Sequence, residues 1–306
     1  MHATRKVLVT GAHGFIGSRC VPYLIADGYE VHAVTSSSVT AAIATGVTWH
    51  HYDLLDHVSC VQAIEAVRPS HLLHLAWIAV PGKFWSSPSN LRWLASGIAL
   101  VEAFYRGGGK RALGVGSCAE YAWGPDDCNE EKTPLRPDTV YGRCKLALGI
   151  AFSAAAAIYG GSSAWARLFS PYGPGEPMER LIPSVIDSIV NGKPVHCTHG
   201  SQIRDFLYVD DAAAALVALL DAGAEGPFNI SSGAGMTLRE VVAVITTQLG
   251  RAELVRFGAR QRPPGDPDRV VADTGRFSRE VGWRPAVGIE DGIARTISAC
   301  RQQRNA

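Results

Sequence analysis

The β-forming run Lys6-Val7-Leu8-Val9-Thr10 ends directly in Gly11-Ala12-His13-Gly14-Phe15-Ile16-Gly17. No other feature constrains the chain as much. A strand that breaks into a GxxGxxG turn and then opens a helix leaves free N–H groups at the helix N-terminus. Glycines let the backbone turn tightly and approach a pyrophosphate, whose charge the helix dipole favours. Against a mere strand-to-helix turn stand the strand before the glycines and the amphipathic run after them. Gly11, Gly14, Phe15, Ile16 and Gly17 are therefore candidate dinucleotide-binding residues.

Strands are expected near 6–10, 30–35, 47–50, 71–75, 111–116 and 163–169, and helices near 15–27, 56–67, 89–106 and 138–159. That alternation means βαβ units and a parallel sheet. Apolar runs such as Leu72-Leu73-His74-Leu75-Ala76 suit strands covered on both faces. The expected fold class is α/β, a doubly wound parallel (Rossmann) sheet with a smaller C-terminal α/β substrate domain. After Phe169 the prolines and glycines of 170–177 break the pattern. The expected division gives residues 1–169, joined by 203–222, to dinucleotide binding, and 170–202 with 223–306 to the substrate.

The 306 residues, 47% hydrophobic and 19% charged, suffice for a sizeable core and exclude disorder of the whole. A balance of 29 basic against 28 acidic residues shows no broad electrostatic footprint for nucleic acid or an anionic membrane. Seven scattered cysteines without a CxxC pair fit reduced thiols, hence a cytoplasmic chain. No secretory leader is expected at the start. Leu146–Tyr159 is too short to span a bilayer and reads as a buried helix.

In Tyr141-Gly142-Arg143-Cys144-Lys145, Tyr141 and Lys145 stand at i and i+4 and share a helix face. An ammonium near a phenol favours the phenolate and brings its pKa toward a range useful for proton transfer. Ser117 follows a parallel strand and so lies at its carboxyl end, where open α/β sheets hold their ligands. The end of the second strand reads Thr35-Ser36-Ser37-Ser38, with no carboxylate for a ribose 2′-hydroxyl. Hydroxyls can donate to a 2′-phosphate, which favours NADP(H), with NAD(H) the alternative. Asp53-Leu54 could meet the adenine, or Asp53 could be a loop or cap residue.

The segments that carry a resemblance are Thr10 to Gly17, His74-Leu75-Ala76, Ser117 four before Tyr121, Pro137 through Lys145, Arg167 through Gly175, Arg204-Asp205-Phe206 through Asp211, and Phe228-Asn229-Ile230. Together they resemble the extended short-chain dehydrogenase/reductase family of nucleotide-sugar epimerases, dehydratases and reductases, from residue 7 to about 295. The resemblance implies Tyr141 as the general acid/base, Lys145 on the nicotinamide ribose and Ser117 on the reacting oxygen. It implies Ala76, Phe169 and Pro171 near the cofactor, and Cys118, Ser170 and Arg204 near a nucleotide-diphosphate sugar, with Arg204 on the diphosphate. Ser170 replaces a usual Asn. Arg262, in Arg262-Pro263-Pro264-Gly265-Asp266, resembles a late nucleotide clamp with one residue inserted. Arg204-Asp205 could also form an ion pair at the domain boundary. A homodimer through a four-helix contact is implied as well.

Within the family, a 4,6-dehydratase or decarboxylase has carboxylates where this chain has Cys118 and Ala119, with Glu120 one place out of register. The GDP-fucose synthase type has a His where Gly175 stands. Neither reaction is expected. Two readings need only Ser117, Tyr141 and Lys145: an NADP(H)-dependent reductase of a nucleotide-linked 4-keto-6-deoxyhexose, favoured by Thr35, and an NAD-dependent 4-epimerase. A non-catalytic nucleotide-binding protein would lack Tyr141 or Lys145, and a serine hydrolase would need a second glycine after Ser117. The histidines form no metal-ligand spacing, and His71 and His74 point to opposite strand faces. No metal is expected. Trp77, Phe84 and Trp85 either wall the sugar or anchor their loop.

Overall fold

The fold is described from a computed structural model covering residues 5–36, 45–78 and 80–305. Ser37 and Ser38 lie outside the described residues. Six strands follow the sequence pattern: β1 (Lys6–Thr10), β2 (Glu30–Thr35), β3 (Val47–His51), β4 (His71–His74), β5 (Arg111–Ser117) and β6 (Ser162–Leu168). Smaller strands follow, namely β7 (Ser170–Tyr172), β8 (Val195–His196), β9 (Ile203–Tyr208), β10 (Gly226–Ile230), β11 (Gly235–Thr237), β12 (Val255–Arg256) and β13 (Arg269–Val270). The first four helices are α1 (Gly17–Ala26), α2 (His57–Val67), α3 (Ser89–Arg106) and α4 (Val140–Tyr159). The other five are α5 (Leu181–Val190), α6 (Val209–Asp221), α7 (Leu238–Leu249), α8 (Gly275–Glu280) and α9 (Ile289–Asn305).

The large sheet runs β10-β6-β5-β4-β1-β2-β3, with every pairing parallel. β1 pairs with β2 on one side and β4 on the other, so the strand order reverses beside β1, and ligands of open α/β sheets bind at such a switch point. Helices α1 and α6 cover one face, where Cys20, Leu24, Ala212 and Leu216 are buried. α2, α3 and α4 cover the other, around Ile64, Leu100, Phe104, Leu148 and Phe152. β5 is buried along its whole length, as a central parallel strand must be.

Sheet membership crosses the sequence division. β10, assigned above to the substrate unit, is the seventh strand of the large sheet, with Phe228 opposite Ala166. β9, grouped with the dinucleotide unit, pairs with β7, β11 and β13 in a second sheet. α5, α7 and α9 share a separate core there, with Ile186, Ile245 and Ile293 buried. α4 also differs from expectation. Leu148 and Phe152 are buried, but Ile150 and Ile158 on its other side are 63% and 75% exposed, so it is a half-covered surface helix rather than a buried one. Among the described residues no helix is long and apolar enough to cross a membrane.

His71 and His74 do face opposite sides of β4. His71 packs edge-on to Tyr29 beneath one helical layer, and His74 lies against Phe152 beneath the other. Among the described residues no three potential metal-binding side chains cluster.

Candidate active site

Two adjoining cavities open at the carboxyl ends of the large sheet. The first, about 430 Å³, is lined by Gly11, Gly14, Phe15, Ile16 and Gly17, by Thr35 and Ser36 after β2, and by Asp53, Leu54, Ala76 and Pro171. The turn fits a close-lying ligand because it has no room for side chains of its own. Gly11 has φ 71°, and a Cβ there would meet the Ala76 nitrogen at 2.8 Å; one on Gly17 would meet the Gly11 oxygen at 2.2 Å. His13, the variable residue of the motif, stacks on Trp49 of β3 at 4.3 Å and lines the same cavity. Asp53 accepts a hydrogen bond from the Leu55 N–H at 2.9 Å, while the cap of α2 is Asp56. The loop role of Asp53 and its place in the cavity therefore coexist.

The second cavity, about 320 Å³, lies between the sheets and shares Ile16, Trp77, Pro171 and Arg180 with the first. It brings together Ser117, Cys118, Tyr141, Lys145, Phe169, Ser170 and Arg204. Tyr141 and Lys145 occupy the first turns of α4, whose N-terminus is capped by Thr139 accepting from the Gly142 N–H at 3.0 Å. Gly142 sets the approach: a Cβ there would sit 2.2 Å from the Ala119 oxygen, so only glycine lets α4 pack onto the turn that follows Ser117. The Ser117 hydroxyl and the Tyr141 phenol consequently line the same cavity.

Burial pushes Tyr141 above the usual phenol pKa, against the pull of the nearby Ser117 hydroxyl and the Arg180 charge. This corrects the expectation from the i, i+4 spacing. Lys145 does not bring the phenol down. Its Nζ lies 6.0 Å from the Tyr141 ring centre and 4.1 Å from that of Trp77, and it donates to the Val115 carbonyl at 2.8 Å. Burial brings Lys145 itself down to about 7, with Glu120 opposing.

Glu120 points away from the cavity. Fully buried, it accepts from Arg167 Nε at 2.8 Å, from Trp165 Nε1 and from the Ser117 N–H. Cys118 reaches the cavity, where burial raises its thiol to about 12, so it stays protonated. Arg204 pairs with Asp266 at 2.5 Å. The Arg204–Asp205 pair does not form, because Asp205 accepts instead from the N–H groups of Ser232, Gly233 and Ala272. Arg262 is not brought to either cavity: it donates to Asp268 Oδ1 at 2.5 Å and to the Asp266 carbonyl.

The sequence did not single out Arg180, which lines both cavities, or Trp123, which lines the second. Arg180 follows a Pro-rich turn with no spacing signal. Trp77, Phe84 and Trp85 all line the second cavity, and their rings lie edge-on to Tyr141 at 6.4, 4.8 and 5.7 Å.

A profile of the NAD dependent epimerase/dehydratase family matches residues 7–231. The chain belongs to that family. Its relatives span several reactions. It is 24% identical to dTDP-4-dehydro-6-deoxyglucose reductase of Escherichia coli over 310 residues, covering 96% of this chain and 97% of the relative. It is 27% identical to dTDP-glucose 4,6-dehydratase of Neisseria gonorrhoeae over 335 residues, covering 96% and 94%. The solved UDP-glucose 4-epimerase of Thermus thermophilus, in complex with NAD, superposes with a TM-score of 0.84 at 28% identity over 97% of this chain and 99% of that one. As a member of the family the chain is an enzyme of nucleotide-sugar metabolism.

Proposed function

We propose that this protein is an NADP(H)-dependent reductase of the C4 ketone of a nucleotide-diphospho 4-keto-6-deoxyhexose. The observation that carries the reading is the Ser117–Tyr141–Lys145 group at the end of β5, in a cavity where, among the described lining residues, the one carboxylate is Asp266, paired with Arg204. Elimination of water needs an acid and a base beside the sugar, and Cys118, Ala119 and the inward-turned Glu120, held by Arg167, do not provide them.

A bound nicotinamide supplies or accepts the hydride. Ser117 and Tyr141 hydrogen-bond the reacting oxygen, and Tyr141, held as the neutral phenol, carries the proton that a reduced carbonyl must gain. Lys145 orients the nicotinamide ribose, Phe169 and Pro171 wall the ring, and Ser170 and Cys118 border the sugar. Arg204 offers a guanidinium to the substrate diphosphate. β2 ends at Thr35 and Ser36 without a carboxylate, which favours a 2′-phosphate.

The second reading, an NAD-dependent 4-epimerase, uses the same three residues and draws support from the Thermus structure. The two part in a direct assay. With a dTDP- or UDP-linked 4-keto-6-deoxyglucose, the reductase consumes one NADPH per product. Interconversion of UDP-glucose and UDP-galactose without added cofactor would instead establish the epimerase.

We also propose a homodimer. Leu91 and Ile98 on α3, one heptad apart, and Ile150 and Ile158 on α4 are exposed apolar positions on two packed helices.

A further inference from the structure

Glu176 is a charged group that the proposed reaction does not use. It lies in the turn between β7 and α5 and lines the first cavity beside Pro177 and Arg180. Its Oε2 is buried with no hydrogen-bond partner. A carboxylate with one oxygen so shut off from water is costly to ionise, and a carboxyl that stays protonated has a donor to offer where the side chain borders the cavity.

Across the cavity lies the glycine turn. Gly175, at φ 90°, lies beside this turn, where a Cβ would make an ordinary contact with Phe15 Cδ2 at 3.9 Å. Arg19 of α1 donates to the Pro174 carbonyl at 3.0 Å, fastening the turn that carries Glu176 to the helix whose N-terminus faces the cavity. We infer that the buried Glu176 carboxyl keeps its proton and donates a hydrogen bond to a diphosphate oxygen of the bound dinucleotide, opposite the N–H groups of the glycine turn. The inference rests on the reading that a dinucleotide occupies this cavity.

Burial raises Glu176 to about 8, opposed by Arg180 and the Gly173 N–H. The other charged or titratable groups on the surrounding elements are Glu179, His13 on the glycine turn, and Arg19, which pairs with Asp210 of α6 at 3.4 Å. Below about pH 8 the carboxyl donates; above it, a carboxylate faces the diphosphate and repels it. Lys145 titrates in the neighbouring range in wild type and both variants alike, so the comparison of variants isolates Glu176.

The test is the dissociation constant of NADPH, measured by nucleotide fluorescence on the full chain from pH 7 to 9.5, for wild type, Glu176→Gln and Glu176→Ala. Gln donates at every pH. At pH 7 the Gln variant should bind within about twofold of wild type and the Ala variant about tenfold more weakly, the worth of one such hydrogen bond. By pH 9.5 wild type should have weakened about tenfold more than Glu176→Gln. Equal slopes for those two proteins overturn the inference, as does wild-type binding that tightens as Glu176 ionises, the behaviour of a carboxylate accepting from a ribose hydroxyl. Wild type that binds neither NADPH nor NADH at any pH overturns the assignment of the cavity, and this inference with it. Thermal melts of each variant establish that the fold is intact.

Discussion

The cavity at the ends of β1, β2 and β4 includes a glycine turn with no room for side chains, whereas the cavity between the sheets is walled by loop aromatics and by an arginine of the smaller sheet. In the first, Gly11 and Gly17 pack against Ala76 and Ala12 so closely that any Cβ would collide. In the second, Phe84, Trp85 and Trp123 come from loops, and Arg204 comes from a strand of the smaller sheet. A turn packed this tightly admits no side chain without moving the backbone. A side-chain-built pocket can change its reaction without disturbing the fold, and relatives named reductase, dehydratase and epimerase at 24–28% identity fit that division.

The sharpest way to break this comparison is Tyr141→Phe, which touches the second cavity alone. Turnover should fall by about 10²-fold or more, the usual worth of a positioned proton donor, while NADPH affinity stays within about twofold. Fluorescence titration beside steady-state rates checks both, and equal losses in rate and binding would merge the two cavities into one functional unit. A second variant probes the first cavity. Thr35→Asp introduces a carboxylate at the end of β2, and should weaken NADPH by about tenfold or more while NADH gains. Unchanged preference would show that the cofactor is discriminated elsewhere.

Arg204→Gln tests the boundary between the units. Loss of a charge-assisted hydrogen bond to a diphosphate should raise KM by about tenfold with a smaller change in kcat. A kcat effect alone would place Arg204 in the chemistry instead. The smallest effect concerns the sheet beneath both cavities. Burial brings His74 down to about 3, and its Nδ1 shares a hydrogen bond of 2.8 Å with Thr10. The folded value lies below the ordinary one near 6.5, so the unfolded chain takes up the proton first. Stability is therefore full above about pH 6.5 and is lost as pH falls toward 3, by a few kcal/mol at most. Urea unfolding at pH 7 and pH 5 should show a smaller acid loss in His74→Gln than in wild type, with cofactor selectivity unaffected.

The same division explains what the sequence made legible. β1 and its glycine turn could be read because strand, turn and helix are consecutive and each has its own periodicity. The proximity of Tyr141 to Ser117 could also be expected, since α4 must return across the strand end. The direction of Tyr141's titration could not: helical spacing gives a shared face, but the Val115 carbonyl that captures Lys145 is set by tertiary packing. β10 escaped the strand reading because its five residues, Gly226–Ile230, contain a glycine and a proline and find their place only beside β6. Arg262 carried a motif with one residue inserted, and the guanidinium goes to Asp268 rather than to the cavity, a pairing that spacing alone does not reveal. Arg180 and Glu176 lie in a turn with no periodicity, so only the fold brings them to the ligand side.

The central claim is that the first cavity holds NADP(H) in an exchangeable way while the second carries a reductase's proton donor. Its most direct test is to purify the protein, denature it, identify any nicotinamide nucleotide released, and titrate the nucleotide-free protein with NADPH and NADH. The account predicts little or no retained NAD and an NADPH affinity at least about tenfold tighter than that for NADH. Near-stoichiometric NAD that remains bound through purification would contradict it and assign the second cavity to an epimerase.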